Sequence, residues 1–298
     1  MVTIKDLDLS HLVGRDVGTA TLLSELGRGA MAVIFTAYQR TLKRQIAIKI
    51  LPRSILTAAA ADQFQQEAET AAILSHPNII QIYEVGSTDE FIYFTMQLIQ
   101  GRPLSYFIAL AQKHVIPSKR FIDPHTTIRV FSAVLEGLEY AHTQDILHRD
   151  IKPANIMIEK HSKRPIIMDF GISKNIRESE ESEQEVMGTP LNMAPEQILR
   201  ENLDNRADIY AAGVMLFQML AGELPLATHE STREMLKLKL KGQWLTRTPS
   251  QINPAVNEEM DRIVLKAMAR DPGERYAACR DFSRDLRGYA SRYLQAQR

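Results

Sequence analysis

Four polar side chains crowd into one short stretch, His148-Arg149-Asp150-Ile151-Lys152-Pro153-Ala154-Asn155: Arg149, Asp150, Lys152 and Asn155. A solvated surface loop could have the same composition. The apolar flanks Ile146-Leu147 and Ile156-Met157-Ile158 argue instead for buried strands that hold the loop rigidly. Fourteen residues after Asn155 comes Asp169-Phe170-Gly171, entered from the apolar run Ile166-Ile167-Met168. Asn155 and Asp169 offer one neutral and one anionic oxygen, the kind of ligand a hard cation accepts beside nucleotide phosphates.

Two further features lie upstream. Leu26-Gly27-Arg28-Gly29-Ala30-Met31-Ala32-Val33 falls between two predicted strands, where glycines let backbone N–H groups approach phosphate oxygens. A plain hairpin turn reads the same way, whereas a dinucleotide fingerprint would need a helix, not a strand, to follow. Lys49 interrupts the apolar strand Ala47-Ile48-Lys49-Ile50-Leu51. On an outer sheet face it would simply be solvated. Glu67, however, sits in a helix over 58–74 and borders its apolar stripe Phe64, Ala68, Ala71 and Ala72. A carboxylate beside a core is costly unless paired, and Lys49 is the natural partner.

The elements that must position these residues change character near residue 100. Short runs rich in Ile, Val, Phe and Tyr, at 21–26, 33–38, 45–51, 79–85 and 91–98, predict an antiparallel sheet. Beyond Gly101 the periodic segments 126–143, 204–220, 232–241, 258–270 and 279–295 are helical. The expected fold class is α+β, a small β-rich lobe with one key helix followed by a larger α-helical lobe.

With 298 residues, 36 Lys+Arg against 36 Asp+Glu and 45% hydrophobic residues, the chain has ordinary globular composition and a formal net charge of zero. That balance argues against a dedicated nucleic-acid or membrane-surface binder. A lone cysteine, Cys279, excludes an intrachain disulfide framework. The N-terminus lacks a secretory apolar run, and the most apolar stretch, 209–220, is too short to span a bilayer. A cytoplasmic location without a transmembrane segment is expected.

Taken in order, the motifs resemble those of the eukaryotic-like serine/threonine protein kinases of bacteria, over roughly residues 20–294. They run from the Gly-rich loop through A-I-K, the helix glutamate, H-R-D-x-K-P-x-N and D-F-G to Met193-Ala194-Pro195-Glu196. The resemblance implies an N-terminal extension over 1–19, an N-lobe over 20–97 and a C-lobe over 98–294. It implies the two-lobed protein kinase fold and transfer of the γ-phosphoryl group of ATP to Ser or Thr hydroxyls of protein substrates. By similarity, Gly27, Arg28, Gly29, Ala30, Met31, Ala32 and Val33 cover the phosphates, and Lys49, oriented by Glu67, contacts two of them. Asp150 takes the acceptor hydroxyl's proton and Lys152 steadies the γ-phosphate. Asn155 and Asp169 hold Mg2+, or Mn2+ in its place. Adenine is expected among Leu26, Val33, Ala47, Met96 and Met157, with Gln97 to Ile99 as the hinge backbone. Glu196 with Arg275, and Asp208 with the backbone of the Asp150 loop, are expected as architecture.

Three departures stand out. Ala32 replaces the third glycine of the loop, Asn192 replaces the tyrosine usual before M-A-P-E, and the segment between Gly171 and Gly188 has no threonine. That segment offers Ser173, Ser179 and Ser182 among glutamates. Either one of the serines becomes phosphorylated, or Glu183 or Glu185 occupies the Arg149 site in place of a phosphate, or the acidic run is simply solvated. A pseudokinase used for binding or scaffolding is the alternative reading, with a small-molecule kinase as a third. The presence of Lys49, Glu67, Asp150, Asn155 and Asp169 argues against the former, and Lys152 with the 188–196 segment against the latter. Homodimerisation is compatible with the sequence and not indicated by it.

Overall fold

The computed structural model describes residues 7–29, 32–55, 58–170 and 190–294. By internal contacts the chain divides into two compact units, Met1–Gln100 and Gly101–Arg298.

The first unit is a six-stranded antiparallel sheet in the order β1-β2-β3-β4-β6-β5. Its strands are β1 (Asp16–Val17), β2 (Ala20–Arg28), β3 (Val33–Gln39), β4 (Arg44–Pro52), β5 (Ile82–Ser87) and β6 (Phe91–Met96). Along β3 burial alternates, with Val33, Phe35 and Ala37 inward, as a period of two demands. These side chains join Ile46, Ile48 and Ile50 of β4 in one core. Leu9, Leu12 and Val17 belong to the same core. Part of the expected N-terminal extension therefore covers a sheet face. The opposite face carries α1 (Ala58–Ile73), whose Phe64 ring lies 4.9 Å from that of Phe94 in β6. Phe64, Ala68 and Ala71 are buried as expected, but Ala72 is exposed, because the stripe is narrower than the sequence suggested.

The second unit opens with a small antiparallel sheet, β7 (Gly101–Pro103), β8 (Ile156–Glu159) and β9 (Pro165–Ile167). A β-carbon on Gly101 would stand 2.2 Å from the carbonyl oxygen of Ile158, so only glycine permits this pairing. The helices are α2 (Leu104–Gln112), α3 (Pro124–Thr143), α4 (Pro195–Leu199), α5 (Asn205–Ala221), α6 (Thr232–Leu240), α7 (Pro249–Ile252), α8 (Glu258–Ala267) and α9 (Cys279–Tyr289). Helix α3 starts where Asp123 accepts the N–H of Thr126 (2.9 Å) and Pro124 occupies the first turn. Helix α5 is capped by Asp204, which accepts the N–H of Arg206, and from Ala207 to Ala221 it is buried on nearly all sides. No helix among the described residues is long and apolar enough to cross a membrane.

Candidate active site

The 148–155 loop has no regular secondary structure beyond a single turn at 153–155, and its backbone is held by side chains. Asp208 of α5, 1% exposed, accepts the N–H of His148 (2.8 Å) and of Arg149 (2.7 Å). Its Oδ2 also meets Nε2 of His142 at 2.8 Å. Burial pushes the Asp208 carboxyl up, but the His142 hydrogen bond and charge, with His148 behind them, outweigh it and hold the group below 3.8. An ionised carboxylate thus sits under the loop as a fixed acceptor. It helps to keep Arg149 at φ 64°, a backbone conformation that residues with side chains rarely adopt.

His148 is fully buried and works as a spacer. Its Nδ1 accepts the N–H of Asp150 (3.2 Å), so Nε2 is the atom that donates to the carbonyl of Met168 (2.9 Å). The ring also packs on Phe170, centroid to centroid 4.8 Å. One imidazole therefore ties Asp150 to the segment that carries Asp169.

Asp150 itself is exposed, with Oδ2 accepting from Lys152 Nζ (2.6 Å) and Asn155 Nδ2 (3.1 Å). Asn155 Nδ2 also donates to the Asp150 carbonyl (2.8 Å). Its amide nitrogen is thus committed, and the oxygen is the atom Asn155 can offer a cation. The N–H of Met168 donates to the Asn155 carbonyl (2.8 Å), which sets Asp169 beside it. Asp169 adopts φ 45°, again the left-handed region. Asp150, Lys152 and Asn155 are joined by hydrogen bonds, and Asp169 directly follows Met168, whose N–H reaches the Asn155 carbonyl. Among the described residues no group of three or more His, Cys, Asp or Glu gathers that could hold a metal alone. A pair of oxygen donors such as Asn155 and Asp169 offer is chemically compatible with a hard divalent cation that takes its remaining ligands from phosphate and water.

In the first unit, β2 and β3 carry the Gly-rich turn, closed by the N–H of Gly29 on the carbonyl of Ala32 (2.8 Å). A β-carbon on Gly27 would meet nothing within 4 Å, and one on Gly29 only that carbonyl at 3.5 Å. Neither has a positive φ. The chain itself does not require these glycines, so the space they leave suits something that approaches the backbone. Arg28 pairs with Glu25 (2.7 Å), Leu26 is exposed, and Val33 and Ala32 are buried. Ala30 and Met31 lie outside the described residues.

Lys49 is half-buried, on the sheet face that carries α1. It pairs in register with Phe94, and its Nζ lies 5.4 Å from the Phe94 ring that Phe64 of α1 also touches. Glu67 is one turn beyond Phe64, but its side chain lies outside the described residues. Ala47 and Met96 are buried partners across β4 and β6. Gln97 donates its N–H to the Gln81 carbonyl (2.9 Å), while Gln97, Ile99 and, in β8, Met157 are half-buried.

The expected Glu196–Arg275 pair is present and buried. Arg275 grips both carboxylate oxygens (2.6 and 2.8 Å) and spends its remaining donors on the carbonyls of Arg206, Ala269 and Arg270. Sequence reasoning missed Gln197. Its Oε1 accepts the N–H of Ala194 (2.8 Å) and its Nε2 donates to the Arg149 carbonyl (3.0 Å), tying the 193–196 segment to the loop of Asp150. No local pattern signals such a bridge. Thr189, Ser173, Ser179, Ser182, Glu183 and Glu185 lie outside the described residues.

The protein kinase domain family matches residues 20–284. Serine/threonine-protein kinase Pkn1 of Myxococcus xanthus is 30% identical over 92% of this chain and 39% of its own length. Serine/threonine-protein kinase PrkC of Bacillus subtilis is 31% identical over 93% of this chain and 41% of its own. The chain therefore spans about two-fifths of these relatives. The kinase domain of Mycobacterium tuberculosis PknI superposes with a TM-score of 0.72 at 25% identity, covering 94% of this chain and 98% of that domain. Sequence match and shared fold agree with the arrangement around Asp150: the chain belongs to the protein kinase domain family.

Proposed function

We propose that this chain is an active serine/threonine protein kinase that transfers the γ-phosphoryl group of ATP to protein hydroxyls. The observation that carries the reading is the constellation on the 148–155 loop. An exposed Asp150 is flanked by Lys152 and Asn155, on a backbone locked from below by Asp208.

In this mechanism Asp150 orients the acceptor hydroxyl and takes its proton. The buried histidine and aspartate beneath it keep the carboxylate fixed, so little reorganisation is needed as charge shifts. Lys152, already 2.6 Å from Asp150, supplies positive charge for the transferred oxygens. Asn155 and Asp169 hold the divalent ion, Mg2+ in our reading. Mn2+ meets the same oxygen-ligand demands. When bound, the ion neutralises charge on the phosphates. Lys49, oriented by Glu67, contacts the α- and β-phosphates, and the Gly27–Gly29 backbone lies over them. Leu26, Val33, Ala47, Met96 and Met157 receive adenine, with Gln97 to Ile99 as the hinge. The kinase domain is assigned to 20–294, with an N-lobe over 20–97 and a C-lobe over 98–294. Protein substrates and a cytoplasmic site of action complete the proposal.

The test is incubation of the purified chain with radiolabelled ATP, Mg2+ and a generic basic protein. Label on Ser or Thr is expected. Nucleotide binding without transfer to any acceptor would favour a pseudokinase.

A further inference from the structure

Helix α6 carries Lys237, Lys239 and Lys241 at its end, and only Lys239 turns inward. It is 1% exposed, one turn after the buried Met235. Its Nζ donates to the carbonyl of Leu191 and lies 4.4 Å from the Trp244 ring centroid and 5.0 Å from that of Tyr210. Leu191 belongs to the turn Pro190–Asn192, immediately before the Met193-Ala194-Pro195-Glu196 segment. The far end of that segment is tied through Gln197 to the Arg149 carbonyl, one residue from Asp150. The segment is thus clamped twice, by Gln197 on the loop side and by Lys239 on the α6 side.

We propose that Lys239 is a positioning residue for the protein substrate: its ammonium, seated between Trp244 and Tyr210, anchors the Leu191 carbonyl and so sets the turn that receives the acceptor segment. The inference rests on the reading of this chain as a protein kinase. Its physical basis is the expense of the arrangement. A buried ammonium loses its hydration, and a Met or Leu of the same length would fill the space without that loss. The two rings and the carbonyl offset the loss only while the charge is present. Tyr210 of α5 is shared, since Arg275 lies 4.8 Å from the same ring. Among the described residues, the charged or titratable groups that face Lys239 include Tyr210, Arg275 and Glu196. Burial, followed by Arg275, pushes Lys239 down to about 7, while Glu196 acts the other way. The clamp therefore weakens as pH rises through neutrality, when the charge-assisted bond becomes an amine–carbonyl one.

The test uses the full chain, steady-state kinetics and a Ser-containing acceptor peptide without histidine. In K239M the KM for the peptide rises about tenfold, consistent with loss of one charge-assisted hydrogen bond, while the KM for ATP moves less than twofold. In the wild-type protein the peptide KM rises between pH 6 and 8.5, and in K239M it is high and flat. A folded K239M with a wild-type peptide KM overturns the proposal. If K239M does not fold, a wild-type peptide KM that stays flat over that pH range overturns it instead. A wild-type chain that labels no acceptor refutes the kinase reading, and the acceptor role of Lys239 falls with it. An active chain with an unmoved peptide KM refutes the Lys239 role alone.

Discussion

The 148–155 loop and the Gly-rich hairpin at 26–33 are built on opposite principles. In the loop, backbone amides are claimed by the side chains of Asp208 and His148, and one residue is forced to a positive φ. In the hairpin Gly29 donates its N–H to the Ala32 carbonyl, and among the described residues nothing lies within 4 Å of the β-carbon position of Gly27. The first region holds a carboxylate and two neighbours by hydrogen bonds to side chains and backbone. The second leaves room for a partner to come close to the chain. Proton removal and cation binding need the former, and a cover over phosphates needs the latter.

Substitutions should separate the two regions by what they damage. Among substitutions around the Asp150 carboxylate, the largest effect is expected for Asp169→Asn, which removes the proposed anionic cation ligand. Phosphotransfer should fall by about three orders of magnitude, with thermal unfolding little changed, because the change is nearly isosteric and the loss is felt in the transition state. Asp208→Ala strikes the support instead. It leaves two loop amides without their acceptor and should cost about 3–5 kcal/mol of stability in denaturant unfolding, with activity lost alongside. The pH dependence follows from the same carboxylate. Its native pKa lies below the unfolded 3.8, so the unfolded state binds the proton more readily. Its contribution is complete well above pH 3.8 and disappears as pH falls below it, a loss that the Ala variant should not show.

Lys239 gives the same sign in a higher pH window. With a native value of about 7 against the ordinary 10.5, the unfolded chain holds a proton that the native chain has released. Stability should therefore rise with pH between those values, by up to about one proton per unfolding event, and this rise should vanish in K239M. Gly27→Ala should sharpen the contrast most quietly. Stability should change by less than about 0.5 kcal/mol, since the added methyl meets nothing, while the KM for ATP rises about three- to tenfold. A stability loss matching the kinetic one would mean that the hairpin, too, needs its glycine for folding. Ala32→Gly should alter kcat by no more than about twofold, because the bond from Gly29 N–H to the carbonyl of residue 32 uses backbone atoms alone and survives loss of the methyl.

Much of this was legible in the chain because the chemistry is written in short, ordered runs. Asp150, Lys152 and Asn155 lie within one turn-rich stretch, and their flanks alternate or run apolar as strands do. The period-two burial of β3 and the buried face of α1 around Phe64 follow from the same local patterns. What escaped depends on contacts between distant segments. The K-L-K-L-K run of α6 reads as a solvated helix end, yet Lys239 is buried under Leu191, forty-eight positions away in sequence. Gln197 bridges two segments that no spacing links. Leu9 and Leu12 lie in a stretch with no strand pattern, and only the sheet they cover explains their burial. Short elements such as β7 and α4 are too brief to carry a period at all.

The central claim is that Asp150 is the group that takes the acceptor proton, on a scaffold that stands without it. The direct measurement is single-turnover phosphotransfer by purified Asp150→Asn, paired with ATP binding and thermal unfolding of the same protein. The account predicts wild-type unfolding, ATP binding within a few-fold of wild type, and a transfer rate lower by about three orders of magnitude or more. A well-folded Asp150→Asn protein that keeps even about a tenth of the wild-type rate would contradict it, since a tenfold loss is only about 1.4 kcal/mol of transition-state stabilisation.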